Sequence, residues 1–394
     1  MVPGQATDPR MDMGMGPETG PATAAIPTKR TEPTTDPAER DRQARRSPMV
    51  SANACSVSAL GRRDHRRWNE FVGGHPDATF FHLVEWERVL THAFGHASRY
   101  LLAERDGQVI GVLPLVEVKS RLFGHALIST PFCVYGGILA QDEAAHGALE
   151  RAACGLAEHL GVDYLEMRNR RSRHPGWPAK DLYFTFRRSI DIDSEKNLTA
   201  IPRKQRAMVR KGIQRQLRIE VDSRPERVYD IYSESLRNLG TPVFSRRYMR
   251  LLFEAFADQC DVLTVMHGQD AVASVMSFYF RDEVLPYYGG GTAAARALAA
   301  NDFMYWQVME RARERGARVF DFGRSKRGTG SFDFKCNWGF EPEPLCYEYF
   351  LVRAREVPNL SPTNAKFSRL IDVWRRLPLP LTRMLGPPIA RNLG

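Results

Sequence analysis

One order of elements occurs twice in this chain, and that repetition narrows the possible folds more than any other feature. The stretch "RYLLAERDGQVIGVLPLVEV" sets two alternating apolar runs around Asp106-Gly107, and "DVLTVMHGQDAVASVMSFYF" does the same around His267-Gly268. Alternation on both sides of a tight turn predicts a β-hairpin in each case. After the hairpins come "PFCVYGGILA" and "VLPYYGGGTA", each predicted to be a strand ending in Tyr-Gly-Gly, at Tyr135 and Tyr288. Next come helices rich in alanine, glutamate and arginine, followed by Gly161 and Gly316 as C-caps. A strand then carries Glu166 in one copy and Asp321 in the other, five residues after the glycine each time. Four matching elements in one order imply an internal duplication. The 394 residues, 43% of them hydrophobic, provide for two cores. The expected organisation is a disordered tail over 1–50, α/β domains over 56–190 and 191–350, and a basic amphipathic segment over 351–394.

The tail is rich in Pro, Thr, Gly and Asp and has little to bury. No apolar run reaches the ~18 residues of a membrane span, and the start lacks the apolar core of a secretory signal, which places the chain in the cytoplasm. Six scattered cysteines without a CxxC pair read as buried, reduced thiols. His92 and His96 have the i,i+4 spacing of a metal pair, but no nearby carboxylate or cysteine completes a site, so no metal is expected.

The formal charge of +10 is concentrated locally. Residues 201–218 hold Arg203, Lys204, Arg206, Arg210, Lys211, Arg215 and Arg218 without one acid. This segment predicts a basic helix with a partial apolar stripe of Ile201, Met208, Ile213 and Leu217, and it is either a solvated face or an anion-binding one. The C-terminal "NAKFSRLIDVWRRL" predicts a helix with Phe367, Leu370, Ile371 and Trp374 on one face and Lys366, Arg369, Arg375 and Arg376 outside it. Such a helix either docks on the body or lies on an anionic membrane, contacting it through residues 363–376.

"SFDFKCNWGF" puts Lys335 among three phenylalanines and a tryptophan. Burying an unpaired ammonium costs several kcal/mol, of order 5. Lys335 is therefore either a strand lysine whose head reaches water or a fixed cation in a cleft, awaiting an anion.

A mixed sheet with a central hairpin, a strand ending in small residues, a helix, then "VFDFG" and a closing stretch with a lysine resembles the GNAT acyltransferase fold. The tandem arrangement is similar to the FemAB family, which builds peptidoglycan cross-bridges, and to the CelD/BcsL-type acetyltransferase domain associated with cellulose synthesis. "NDFMYWQVMERARERGARVFDFGRS" and "GTGSFDFKCNWGF" carry the resemblance, with Phe334-Lys335 and Trp338-Gly339 at the family's Phe-Lys and aromatic-Gly positions. "LRNLGTPVFSRRYMRLL" and the tail resemble, more narrowly, FemAB-related proteins associated with the XrtA/PEP-CTERM system of exopolysaccharide producers. The resemblance covers roughly residues 56–394. It implies two tandem GNAT-like (acyl-CoA N-acyltransferase) domains with mixed β-sheets, and transfer of an acyl or aminoacyl group to an amine of a cell-envelope or exopolysaccharide precursor.

Transfer of this kind needs a neutral amine, a stabilised oxyanion and a donor held close. Lys335 suits the oxyanion, as the family's matching lysine implies, while Asp321 or Glu166 suits the amine's proton or its orientation. Arg324, Lys326 and Arg327, in the glycine-containing loop after Asp321, suit donor phosphates, as does Asn301 before the following helix. Arg237, Asn238 and Thr241, around a Gly-Thr-Pro turn, offer donors to a sugar or its diphosphate carrier, or simply end a helix. Tyr135, Tyr288 and Trp338 line the acceptor cleft or pack the core. The donor implied is acyl-CoA, although "RALAAND" and "QDEAAHG" lack the paired glycines of the usual pyrophosphate loop. Aminoacyl-tRNA, landing on the basic helix, is the other donor. The acceptor is a small-molecule or lipid-linked glycan. A reading of a different class is a non-catalytic glycan-binding or accessory protein.

Overall fold

The computed structural model describes residues 55–120, 123–357 and 365–392, the side chains of 365–369 excepted. The expected tail over 1–50 and the side chains of Lys366, Phe367 and Arg369 lie outside the described residues.

The first half contains strands β1 (Ser56–Ala59), β2 (Ala97–Ser98), β3 (Leu101–Arg105), β4 (Gln108–Leu113), β5 (Leu115–Ser120), β6 (Gly124–Ser129), β7 (Leu139–Ala140), β8 (Tyr164–Asn169), β9 (Ala179–Lys180) and β10 (Tyr183–Ser189). Its helices are α1 (His65–Gly74), α2 (Glu85–Phe94) and α3 (Glu143–Leu160). The second half opens with helices α4 (Ser194–Ala200) and α5 (Arg203–Gln214), then β11 (Arg218–Val221), α6 (Glu226–Leu239) and α7 (Arg246–Ala255). The meander β12 (Cys260–His267), β13 (Asp270–Phe280) and β14 (Glu283–Gly291) follows, then α8 (Ala295–Leu298) and α9 (Ala300–Glu314). It closes with β15 (Val319–Asp321), β16 (Ser325–Lys326), α10 (Gly330–Asn337), β17 (Pro342–Pro344) and β18 (Cys346–Leu351). Two helices end the chain, α11 (Ala365–Arg376) and α12 (Leu379–Ala390).

The duplication is visible in the sheets. β6 and β8 pair in parallel in the first half, as β14 and β15 do in the second, while the hairpins before them are antiparallel. Gly161 and Gly316 follow α3 and the end of α9 at positive φ, +57° and +85°. The halves differ where the chain contains proline. Pro114 cannot donate to a ladder, and there the strand equivalent to β13 breaks into β4 and β5, which belong to separate sheets. The expected "PFCVYGG" strand is not one. The strand lies earlier, at 124–129, and Thr130 and Phe132 turn the chain out of it at positive φ. In the second half β14 continues through Tyr288-Gly289-Gly290, with a bulge opposite Met276 and Ser277.

Each half also lends its last strand to the other. β10 runs antiparallel to β15, inside the second half's sheet, and β18 runs antiparallel to β8 in the first half's sheet. A cut between 190 and 191 therefore separates strands that share a ladder. One apolar cluster also runs through both halves, with Phe80 stacked on Phe278 at 4.7 Å.

α5 buries Gln205, Val209 and Gly212, while Ile213 is exposed. The buried stripe escaped a search for apolar spacing because it works through other chemistry. Gln205 Nε2 donates to Asp302 at 2.9 Å, and Gly212 lets Phe303 approach so closely that an added Cβ would lie 2.7 Å from it. In α11 the expected apolar face is divided, since Ile371 packs over Gly240 and Trp374 is half-buried whereas Leu370 is 64% exposed. All six cysteines are unpaired.

Candidate functional site

Glu166 and Asp321 occupy equivalent places, each opposite the strand received from the other half: Tyr349 across from Glu166, and Arg187 across from Asp321. Both carboxylates are enclosed. Glu166 accepts from Arg168 Nε at 2.7 Å. Asp321, 1% exposed, accepts from four donors: Tyr135 O–H (2.7 Å) and Arg187 Nη1 (2.8 Å) at Oδ2, Thr185 O–H (3.1 Å) and the Gly323 N–H (2.7 Å) at Oδ1. The geometry makes Asp321 a hub that fixes Tyr135 and Arg187, and it leaves no open face from which to take a substrate proton. Tyr135 is the hub residue that also lines the neighbouring cavity.

Beside Tyr135 lies a cavity of about 270 Å³. Its walls are His75, Asp77 and His82, the backbone of 136–140, and the loop 168–173 that leaves β8. An added Cβ on Gly137 would lie 1.9 Å from Asn169 Oδ1, so glycine is needed for loop and backbone to meet. Burial pushes the His82 imidazole down to about 4, so it is neutral at physiological pH. Its Nδ1 accepts from the Thr79 N–H at 3.1 Å, which leaves the proton on Nε2, donated to Gly137 O at 3.1 Å. His75 likewise accepts from the Asp77 N–H and lies 3.0 Å from Ala140 O. Both rings brace the 137–140 backbone and are engaged at both nitrogens.

The loop is set by Glu348 of β18, a buried carboxylate that accepts from Asn169, Ser172 and His174 side chains and from the N–H groups of Arg173 and His174. Burial pushes Glu348 up, but these donors, His174 foremost, outweigh it and hold it at about 2. The loop therefore presents Arg170 and Arg171 to the cavity exposed and without a carboxylate partner, the Arg170 guanidinium 5.5 Å from the Tyr135 ring centre. Arg173 pairs with Glu143 at the surface. The cavity thus suits an anion. Of the residues singled out in the sequence, only Tyr135 lines it. "RNRRSR" was the available signal for the rest, but it looks like any solvated charge run.

Lys335 is not on a strand. It stands in the last turn of α10, 8% exposed, and its Nζ donates to Gly323 O at 2.9 Å and Arg324 O at 3.3 Å, between the rings of Phe186 and Phe322. It pins the turn after Asp321 and does not line the cavity. Burial pushes its amine down to about 7, against a partial pull from Asp321. Between that value and an ordinary lysine's 10.5, the unfolded chain holds the proton and the folded one does not, so stability rises with pH across this window. We expect the unfolding free energy of the wild type relative to Lys335→Met to climb between about pH 7 and 10, by ~1 kcal/mol per unit at the steepest. Urea titrations of both proteins at several pH values measure it, and a flat difference would show that Lys335 stays charged when buried.

The remaining expected site residues divide between core and surface. Trp338 is fully buried and donates Nε1–H to Asp302 at 2.9 Å. Tyr288 is bound to the Tyr248 hydroxyl inside an aromatic cluster. Arg324 lies between Tyr183 and Tyr347 and donates to the Tyr347 hydroxyl. Lys326 is half-buried on β16, and Arg327 is exposed, covering the Phe184 ring. Around 237–241 the chain ends α6 with Gly240 at φ +80°, leaving Asn238 and Thr241 exposed and Arg237 half-buried.

A CoA pyrophosphate in such a fold needs free N–H groups before the helix that follows the glycine strand. Here the Thr292 N–H donates to Val272 O, the Ala295 N–H to Thr292 O, and the Ala293 N–H to the Glu234 carboxylate. Asn301 Oδ1 fills the space over Gly291, 2.8 Å from where a Cβ would sit. Three N–H groups after β14 are thus engaged, one of them by an anion, and the paired glycines of the usual pyrophosphate loop are absent. Among the described residues, no His, Cys, Asp and Glu cluster could hold a metal ion.

Residues 196–336 match the Acetyltransferase (GNAT) domain family. Among solved structures the chain is similar to FemX, at 14% identity and a TM-score of 0.57, covering 76% of this chain and 98% of that one. It is also similar to the C-terminal domain of a putative lysylphosphatidylglycerol synthetase from Agrobacterium fabrum (14%, 0.50, 73% and 91%) and to a tandem GNAT protein from the clavulanic acid biosynthesis pathway (12%, 0.50, 77% and 100%). No curated protein sequence matches the chain significantly. At such identities the likeness concerns the fold, which is a tandem GNAT-like α/β arrangement.

Proposed function

We propose that this protein is an N-acyltransferase or aminoacyltransferase whose acceptor is an amine on an anionic precursor of the cell envelope or of an exopolysaccharide. The observation that carries the reading is the cavity with two unpaired arginines, built against a hub that joins the halves of a tandem GNAT-like fold. Guanidinium groups aimed into one cavity suit a phosphate or carboxylate, and a sugar diphosphate supplies both charge and polar surface. Asp77, the only carboxylate lining the cavity, is placed to take the proton that the attacking amine must lose. Asp321 and Lys335 act by position, the one through Tyr135 and the other through the 323–324 turn. The narrower association with XrtA/PEP-CTERM systems rests on the motifs of the sequence alone.

The engaged N–H groups of 292, 293 and 295 and the missing loop glycines favour a donor other than acyl-CoA. On α5 and at its C-terminal end, Arg203, Lys204, Arg210 and Arg215 are exposed without partners, a face suited to the phosphates of an aminoacyl-tRNA. Thermal stabilisation by charged tRNA, weakening steeply with salt, would support this donor; stabilisation by acetyl-CoA and not by tRNA would reverse it.

For the acceptor, removal of one charge-assisted contact costs about 1.5 to 3 kcal/mol, roughly tenfold to hundredfold in affinity. Arg170→Ala and Arg171→Ala should each weaken binding of a nucleoside diphosphate sugar to that extent in calorimetric titration, with unchanged melting temperatures. Wild-type affinity in both would remove the cavity from the acceptor site. The enclosure of Asp321 also favours a second reading, a glycan-binding accessory protein; acceptor binding without turnover of any donor would select it.

A further inference from the structure

The last two helices turn an apolar face to solvent. Eight large hydrophobic residues are well exposed among the described residues, and five of them lie on these two helices and on the end of α6 against which they pack: Leu239 on α6, Leu370 and Val373 on α11, Met384 and Leu385 on α12. Exposed apolar side chains scattered singly are ordinary, but a gathering of them marks a contact surface. Neither helix is poorly docked. Arg375 donates to Leu239 O, Gly386 lies so close to Val243 that an added Cβ would stand 2.9 Å from its backbone, and His96 bonds Arg391 O at 2.7 Å. The docked side is therefore satisfied, and the apolar residues form a second face.

α12 makes the point most clearly. Its one charged residue, Arg383, turns inward to Ser233 and Asp230, which leaves Met384, Leu385, Pro380 and Pro388 as an uncharged outer surface. A helix apolar on both sides is covered on both sides in its working state. Neither helix is long enough to cross a bilayer. Among the described side chains of 370–392, Arg375, Arg376 and Arg391 are exposed against Asp372 alone, and Arg376 has no partner. Two copies brought face to face would set these cations against each other, whereas an anionic lipid surface complements them.

We infer that α11 and α12 lie flat on an anionic bilayer, with Leu370, Val373, Met384 and Leu385 inserted at the level of the headgroups. This goes beyond the enzymatic reading and does not depend on it.

Co-sedimentation of the full chain with phosphatidylcholine vesicles, with and without phosphatidylglycerol, tests the inference. Partition onto the anionic vesicles should be at least about tenfold stronger than onto the neutral ones and should fall with salt. The pairs Leu370→Asp/Val373→Asp and Met384→Asp/Leu385→Asp should each lose about tenfold or more, with the melting temperature of the parent because the side chains are exposed. Absent binding, equal binding to both vesicle types, or wild-type binding by both pairs would overturn it. So would a wild-type dimer in sedimentation velocity that the aspartate pairs convert to monomer, since a second copy would then be the cover.

Discussion

Asp321→Asn should destabilise the protein by about 3 to 5 kcal/mol, the range for breaking a buried ion pair from one side, although asparagine has nearly the same shape. The reason lies in the donors. Tyr135 and Thr185 carry hydroxyls that can rotate and accept, but Arg187 Nη1 at one oxygen and the Gly323 N–H at the other can only donate. Whichever way the new amide is oriented, its NH2 faces one of these two. Arg187 retains Glu283, so the guanidinium is not left wholly unpaired. Asp321→Ala removes the donor conflict but orphans every partner, and it should cost at least as much. Urea unfolding reads both variants, and against a typical total of about 5 to 15 kcal/mol either loss is large. A cost under about 1 kcal/mol would mean that water reaches the site and that Asp321 is open enough to act as a base after all.

This hub also shows how far the sequence could be read. The duplication, the capping glycines and the equivalence of Glu166 with Asp321 follow from local spacing, and local spacing survives folding. What Asp321 touches does not follow, because Tyr135, Thr185 and Arg187 lie 186, 136 and 134 residues away and converge only once β10 crosses into the second sheet. No periodicity records such a crossing. Lys335 failed differently: the alternation of "SFDFKCNW" suits a strand, yet Thr329 caps a short helix by accepting from the Phe332 N–H, and the lysine turns inward to two carbonyls. Arg170 and Arg171 were plain in the sequence as a charge run. They become a candidate site only because a residue from the far end of the chain shapes their loop.

That residue is Glu348, and its removal should have an effect of the same order as that at Asp321, localised to the cavity. Oε1 accepts from Ser172 (2.7 Å) and from the N–H groups of Arg173 (2.9 Å) and His174 (3.0 Å), while Oε2 accepts from Asn169 (2.8 Å) and His174 Nδ1 (2.9 Å). Glu348→Ala strands them all, and we expect a loss of about 3 to 5 kcal/mol together with loss of anion binding. Glu348→Gln is subtler. Its NH2 cannot face two backbone N–H groups, so it must take the Oε2 place, where Asn169 can flip and His174 can give up its Nδ1 proton. The imidazole is burdened by burial but carried above its ordinary 6.5 by Glu348 and by Glu150, 3.3 Å away. Its contribution is complete below pH 6.5 and fades as pH rises through that raised value. The Glu348 contribution is complete above 4.5 and fades only as pH falls toward about 2. The loop of the wild type is thus firmest between these limits, and Glu348→Gln should lower the His174 titration, as followed by NMR of its ring, while weakening anion binding above the new midpoint. An unmoved His174 with anion binding intact would show that the loop holds its shape without this carboxylate, and the cavity would then owe nothing to the exchange of strands.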